Sequence, residues 1–188
     1  MGNEGSEKEI NAFVDFFKAC AKKKDLSKGT TLHAHILKRG LLEKSPYIAS
    51  ALINMYTKCG ELIKAQKVLE DLIVRDVFSW SSLIAGYAMH GYCEEAMNCF
   101  EHMNHNGIIP DAVSWSTLIA GYAKHNLREE ALNCLELMKL EGISPDAFTF
   151  GSILKACSMI GSIKKGEEIH REVLDMGLLQ KDVVLGTI

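Results

Sequence analysis

The chain has 188 residues, of which 47% are hydrophobic, and this is enough apolar material for a substantial core. Its 21 Lys and Arg residues stand against 24 Asp and Glu residues, so the formal net charge is -3. This balance excludes a strongly basic surface as the main source of nucleic-acid affinity, which would have to come from locally placed side chains. No apolar run approaches the roughly 18 residues that a membrane-spanning helix needs.

The chain divides into units that can be followed in order from the N-terminus. Residues 1–9 are polar and acidic, and we expect them to form a disordered tail. They do not resemble an organellar transit peptide, which is rich in arginine and poor in acidic residues. Residues 10–45 form a long unit that contains the segments FFKAC and DLSKG. Residues 46–76 form a shorter unit that contains LINMYTKCG.

Residues 77–111 and 112–146 are two consecutive copies of one repeat, since about 21 of their 35 positions are identical. The segment SWSSLIAGYA in the first copy returns as SWSTLIAGYA in the second. Residues 147–182 then repeat the long unit with ILKAC and SIKKG, and residues 183–188 begin a truncated unit. A fixed period of this length is typical of solenoid proteins, in which neighbouring units bury each other's apolar faces.

Each standard unit predicts two helices. In the first copy, Trp80, Leu83 and Ile84 have the i, i+3, i+4 spacing of one helix face. A second helix is expected to begin near Glu94, because carboxylates favour a helix N-terminus, and to end at Gly107. The same residue types recur in the second copy. The sequence therefore predicts an all-α fold built from stacked helical hairpins.

These motifs resemble those of pentatricopeptide repeat proteins, in the plant class that mixes standard units with longer and shorter ones (the PLS class). The standard signature is an aromatic residue followed by LI-x-GY, EEA and GI-x-PD, and it stands in both central units. Residues 17–40 and 154–177 resemble the long-unit pattern LKAC…G…H…G, and residues 51–60 match the short-unit pattern ALINMY-x-KCG. The tetratricopeptide alternative requires W-x2-L-G-x2-Y, which is absent.

The resemblance implies a right-handed α-solenoid of helix-turn-helix pentatricopeptide repeats that binds single-stranded RNA, one base per repeat. It also implies that the 5′ end of the RNA lies toward the protein's N-terminus. Proteins of this class are usually located in mitochondria or chloroplasts, where most guide C-to-U editing of transcripts. Because their chemistry lies in another domain or in a partner protein, we expect a recognition module without catalytic activity or cofactor, and protein partners from an editing complex.

The resemblance assigns base selection to the fifth and last residues of each unit. The main pairs are Ser50 with Asp76, Ser81 with Asp111, and Ser116 with Asp146. The long units offer the weaker pairs Val14 with Ser45, and Gly151 with Asp182. A carboxylate only accepts hydrogen bonds, and in the family a small hydroxyl residue beside Asp is associated with guanine. The alternative is that these Ser and Asp residues only cap helices or shape loops.

By the same resemblance, the second residue of each unit stacks on the bases. These residues are Tyr47, Phe78, Val113 and Phe148. The alternative for the two Phe residues is a place in the core between repeats. The thirteenth residue is expected to meet RNA phosphates where it is a lysine, as it is at Lys22, Lys58 and Lys124. The alternative for these lysines is a solvated surface position.

No catalytic or metal-binding motif stands out in the sequence. The six cysteines include no CxxC pair, and most of the seven histidines recur in register between units, which favours reduced packing cysteines and scaffold histidines. No P-loop, HExxH or deaminase signature is present. The runner-up function is a protein-interaction scaffold, which would bind a partner or another copy through the surfaces of the long units or through the exposed C-terminal end. An enzyme subunit is the third and less favoured alternative.

Overall fold

The computed structural model describes residues 3–158 and 163–175, and these residues form ten α-helices and one 3-10 helix. The helices are α1 (Asn3–Lys23), α2 (Leu26–Lys38), α3 (Pro46–Lys58), α4 (Leu62–Asp71), α5 (Val77–Met89), α6 (Cys93–His105), α7 (Ala112–Lys124), α8 (Arg128–Leu140), α9 (Ala147–Ser158) and α10 (Ile163–Asp175). The 3-10 helix, Leu42–Lys44, lies between α2 and α3. Within these residues, none of the helices combines the length and the hydropathy that a membrane crossing requires.

Consecutive helices pair as hairpins, and the hairpins stack in one row. Each odd-numbered helix packs against the next one, so that α1, α3, α5, α7 and α9 form a continuous layer. Each even-numbered helix packs against its hairpin partner and lines a second layer. The predicted all-α solenoid is therefore confirmed. Units predicted to start at Pro46, Val77, Ala112 and Ala147 each start on the first residue of a helix.

The core lies between the two layers and follows the apolar stripes predicted from the sequence. In α5, Trp80, Leu83 and Ile84 are buried, and in α6 the stripe formed by Ala96 and Met103 is fully buried. The equivalent residues of the next hairpin, Trp115, Leu118, Ile119, Ala131, Leu135 and Met138, are buried as well. Because burying one large aliphatic side chain contributes about 1.5–3 kcal/mol, this shared core stabilises hairpins that would not be stable alone.

Glycines end the second helix of both standard hairpins, as the sequence predicts. Gly107 follows α6 with φ +74°, and Gly142 follows α8 with φ +76°, a left-handed conformation that glycine adopts at little cost. The next residue then folds back: the amide of Ile108 donates to the carbonyl of Met103 at 3.1 Å. This Schellman-type bond directs the chain toward the following helix of the stack.

The N-terminal residues differ from the sequence-based expectation. Helix α1 already begins at Asn3, so the prediction of a disordered tail over residues 1–9 is wrong for residues 3–9. Glu9 forms an ion pair with Arg39, which lies at the end of α2. This contact joins residues that are far apart in sequence, and composition alone therefore gave no sign of it.

The odd-numbered helices approach each other closely at two equivalent glycines. A Cβ added to Gly86 would meet the Thr57 side chain, and one added to Gly121 would lie 3.0 Å from the backbone Cα of Ala88 as well as against its Cβ. We therefore expect Gly121→Ala to destabilise the fold by about 1–3 kcal/mol, because helix α7 must move away from α5. Thermal unfolding measures the effect.

Gly166→Ala in helix α10 is the matched control. It adds the same methyl group to a helical glycine, but no neighbouring atom of the described residues lies within 4 Å of the new Cβ. We expect this variant to be neutral or to gain about 0.4–1 kcal/mol of stability. Equal melting temperatures for the two variants would contradict the close packing of α5 on α7.

Candidate nucleic-acid interface

Four exposed apolar side chains line the N-terminal ends of the odd-numbered helices. Tyr47, Phe78, Val113 and Phe148, which we call the apolar ladder, are the second residues of α3, α5, α7 and α9. Their exposed fractions are 59%, 51%, 61% and 59%, whereas the large apolar residues on the inner faces of the same helices are buried. The alternative of a core position for Phe78 and Phe148 is therefore wrong. The Tyr47 and Phe78 ring centroids lie 6.1 Å apart.

An aspartate precedes three of these helices and closes the first turn of each. Oδ1 of Asp76, of Asp111 and of Asp146 accepts a hydrogen bond at 2.8 Å from the backbone amide three residues ahead. In the described part of the chain, every side-chain hydrogen bond to these three carboxylates falls on Oδ1. The caps therefore fix each carboxylate by one oxygen.

The three predicted serines are the fifth residues of α3, α5 and α7. The Oγ of Ser50 donates to the Tyr47 carbonyl at 3.3 Å, and that of Ser116 donates to the Val113 carbonyl at 3.2 Å. Ser50 and Ser81 are half-buried, whereas Ser116 is only 5% exposed. Each serine therefore belongs to one odd-numbered helix, and the aspartate paired with it caps the next one along the stack.

Ser81 is joined to its aspartate by a residue that the sequence-based prediction omitted. Its Oγ lies 2.7 Å from the Oγ of Ser114, which in turn donates to Oδ1 of Asp111 at 2.8 Å. Ser114 is fully buried. Its place three residues after the capping Asp111 was the available signal, because that position commonly takes part in N-capping.

Three residues of the weaker candidate pairs lie in the described part of the chain, and two of them are nearly as buried as Ser116. Val14 is buried in α1, and Ser45 is buried and caps α3, where its Oγ accepts from the Tyr47 amide at 3.3 Å. Gly151 is half-buried in α9. The proposed partner of Gly151, Asp182, lies outside the described residues, as does the C-terminal end to which self-association was assigned.

The three candidate phosphate-binding lysines lie at the opposite ends of the odd-numbered helices. Lys58 and Lys124 are the last residues of α3 and α7, Lys22 is in the last turn of α1, and all three are exposed. Eight residues separate the fifth and thirteenth places, which corresponds to about 12 Å along a helix. The Nζ of Lys124 donates to the Met89 carbonyl at 2.8 Å, which holds this lysine across the α5–α7 contact.

The cysteines are buried or half-buried, whereas five of the seven histidines are exposed. All six cysteines are free thiols. Burial raises the pKa of Cys99 to about 11 and that of Cys134 to about 12, so both stay protonated at neutral pH. Burial lowers the pKa of His33, whose Nδ1 is 2.8 Å from the Tyr56 hydroxyl. The described residues contain no group of three His, Cys, Asp or Glu side chains that could hold a metal ion.

Family models match most of this array. The model described as PPR repeat family matches residues 75–124 and 110–159, and the model described as PPR repeat matches residues 47–77 and 148–178. A pentatricopeptide repeat-containing protein of Arabidopsis thaliana is 32% identical over 185 residues, which cover 98% of this chain and 21% of that protein. The chloroplastic pentatricopeptide repeat-containing protein CRR2 of Arabidopsis thaliana is 44% identical over 97 residues, which cover 52% of this chain and 15% of that protein.

The stack of helical hairpins in this chain is similar to solved structures. The pentatricopeptide repeat protein PPR10, in complex with an 18-nt psaJ RNA element, has a TM-score of 0.73 and 25% identity, with 89% of this chain and 26% of that chain covered. The PPR domain of Arabidopsis thaliana protein-only RNase P 1 has a TM-score of 0.67 at 16% identity, with 86% of this chain and 87% of that chain covered. The chain thus spans 21% and 15% of the two relatives named above and about a quarter of PPR10.

Proposed function

The chain belongs to the pentatricopeptide repeat family, and on that premise we propose that it binds single-stranded RNA with one base per repeat. The observation that carries the proposal is the register of two rows of side chains. The apolar ladder repeats at the second residue of four helices, and three Ser/Asp pairs repeat beside it. A base stacked on the ladder would lie next to one pair. The complex of the similar PPR10 with an 18-nt RNA element supports RNA binding by such a stack.

The three central pairs favour guanine at three successive positions. In each pair the aspartate uses Oδ1 to cap a helix, which leaves Oδ2 for the RNA. A carboxylate oxygen only accepts hydrogen bonds, and the Watson–Crick edge of guanine presents two adjacent donors, N1–H and N2–H. Adenine and cytosine present a lone pair beside one donor, which a carboxylate would repel.

The wider role that we propose is guidance of RNA processing in an organelle, with C-to-U editing as the specific case. Mitochondrial and chloroplastic relatives of the chain support the organelle. The unit lengths, with long units at 10–45 and 147–182 and a short unit at 46–76, support the PLS class. The RNA-modifying chemistry would then come from a partner protein or another domain, and the array would select the site.

Titration of the protein against labelled RNAs that carry GGG, AAA or UUU in one fixed flank tests the proposal. We expect the tightest binding to GGG, with an affinity that falls as salt rises, because phosphate contacts release counterions. Equal affinity for the three RNAs would leave stacking and phosphate contacts in place but overturn the Ser/Asp assignment. The absence of binding at low salt, together with RNA-independent association with a partner protein, would favour the scaffold function instead.

A further inference from the structure

Three side chains from two repeats form one hydrogen-bonded chain in the middle of the array. Ser81 Oγ contacts the Val77 carbonyl at 2.6 Å and Ser114 Oγ at 2.7 Å, and Ser114 Oγ contacts Oδ1 of Asp111 at 2.8 Å. Ser81 and Asp111 form one of the proposed base-selecting pairs. Ser114 belongs to the following repeat and has no exposed surface, so it cannot touch RNA itself.

The two serine hydroxyls have only two protons for these three contacts. The Val77 carbonyl and the Asp111 carboxylate only accept hydrogen bonds, so both protons must come from the two serines. If one serine donates to the other, only one proton is left for the two remaining contacts, Ser81 with Val77 and Ser114 with Asp111. Ser81 donates its proton either to Val77 or to Ser114 in every such arrangement. Toward a base, Ser81 therefore presents a lone pair.

The other two pairs lack this connection. Ser79, the counterpart of Ser114 one repeat earlier, accepts from the Asp76 amide and donates to the Asp76 carbonyl. Thr149, the counterpart one repeat later, donates to Oδ1 of Asp146 at 2.6 Å. Among the described residues, neither of these hydroxyls is hydrogen-bonded to the serine of its pair, Ser50 or Ser116.

We propose that Ser114 is a specificity-determining positioning residue for the base read by Ser81 and Asp111. By bridging the two side chains, it holds the carboxylate in place and keeps the Ser81 hydroxyl from turning its proton toward the RNA. Both members of the pair then accept, which matches the N1–H and N2–H donors of guanine. Without the bridge, only the Val77 carbonyl competes for the Ser81 proton, and the hydroxyl can turn to donate to N1 of adenine. This inference rests on the proposed RNA-binding function.

RNAs in which one guanine of GGG is replaced by adenine test the inference position by position. The ratio of the dissociation constants of GAG and GGG reports the base read by Ser81 and Asp111, and AGG and GGA report its neighbours. We expect Ser114→Ala to lower the GAG ratio by about three- to tenfold, the effect of one net hydrogen bond, and to leave the other two ratios unchanged. Ser114→Thr keeps the hydroxyl and should keep the ratio.

Ser79→Ala is the matched control, since it removes a buried capping hydroxyl that makes no bridge. It should leave all three ratios at the wild-type values. An unchanged GAG ratio in Ser114→Ala would overturn the inference while the proposed function stands. An equal fall in all three ratios would also overturn it, because that result indicates a purely structural role. Equal wild-type affinity for all the RNAs would instead be a failure of the proposed base selection.

A double-mutant cycle tests the bridge without RNA. Ser81→Ala, Ser114→Ala and the double variant are compared by thermal unfolding. We expect the two single effects to be non-additive, because both changes remove the same contact. Additive effects would show that the two hydroxyls do not interact, and the inference would then fail whatever the RNA titration gives.

Discussion

A variant that carries Asp76→Asn, Asp111→Asn and Asp146→Asn should lose its preference for GGG and bind AAA more tightly. In the structure, Oδ1 of each aspartate accepts the capping amide at 2.8 Å. An asparagine that keeps this cap through its carbonyl oxygen places its NH2 group where Oδ2 was. The group that faces the base then donates, which disfavours the N–H donors of guanine and suits N1 of adenine.

The expected change is large, because hydrogen bonds to charged groups contribute about 1.5–3 kcal/mol each. This corresponds to a factor of roughly ten or more in the relative affinity for each base. Asn and Asp are equally good N-cap residues, so the melting temperature should stay at the wild-type value. Titration against GGG and AAA in one flank, with melting curves of both proteins, gives the result.

Asp25→Asn is the matched control for the charge change. Asp25 caps α2 through a 3.0 Å bond from the Lys28 amide but belongs to no base-selecting pair. This variant should keep the preference for GGG. If it shifts the preference as the triple variant does, the effect comes from net charge. If the triple variant still prefers GGG, the aspartates do not select the base.

The signals for the fold are local and repeated along the chain, and the sequence alone therefore predicts it. The spacing of Trp80, Leu83 and Ile84 fixes a helix face within two turns, and its recurrence in the next unit shows that the face must be shared between hairpins. Gly107 marks a helix end by its backbone preference alone. These properties depend on neighbouring residues in the chain, and the structure agrees with them.

The contacts that the sequence did not predict all cross between elements. The ion pair of Glu9 with Arg39 joins α1 to the end of α2, and the bridge from Ser81 through Ser114 depends on how closely α5 and α7 approach. That approach is set by small residues such as Gly121. The pairing of a fifth residue with a last residue came from family resemblance. The physical setting of each pair, in which the aspartate caps a helix through one carboxylate oxygen, depends on the packing of two helices that are separate in sequence.

Replacing the apolar ladder with Tyr47→Ala, Phe78→Ala, Val113→Ala and Phe148→Ala should weaken binding to every RNA while leaving base preference unchanged. Stacking contributes roughly 1–3 kcal/mol for each base and is independent of sequence. A base between two rings needs roughly 7 Å, twice the 3.4 Å rise of stacked bases. The Tyr47 and Phe78 centroids are 6.1 Å apart, so a small opening admits a base. We expect at least a hundredfold loss of affinity for GGG, AAA and UUU alike.

The control replaces four apolar residues that are exposed elsewhere on the surface, Ile63→Ala, Ile73→Ala, Ile109→Ala and Leu140→Ala. The ladder side chains are 51–61% exposed and the control side chains 79–85% exposed, so the ladder variant should lower the melting temperature modestly and the control should leave it unchanged, since apolar burial is what stabilises the fold. Only the ladder variant should lose RNA affinity. If it instead unfolds at lower temperature with affinity intact, the ladder packs between repeats in solution. If both variants lose affinity equally, surface hydrophobicity in general binds RNA, and the ladder has no special place in recognition.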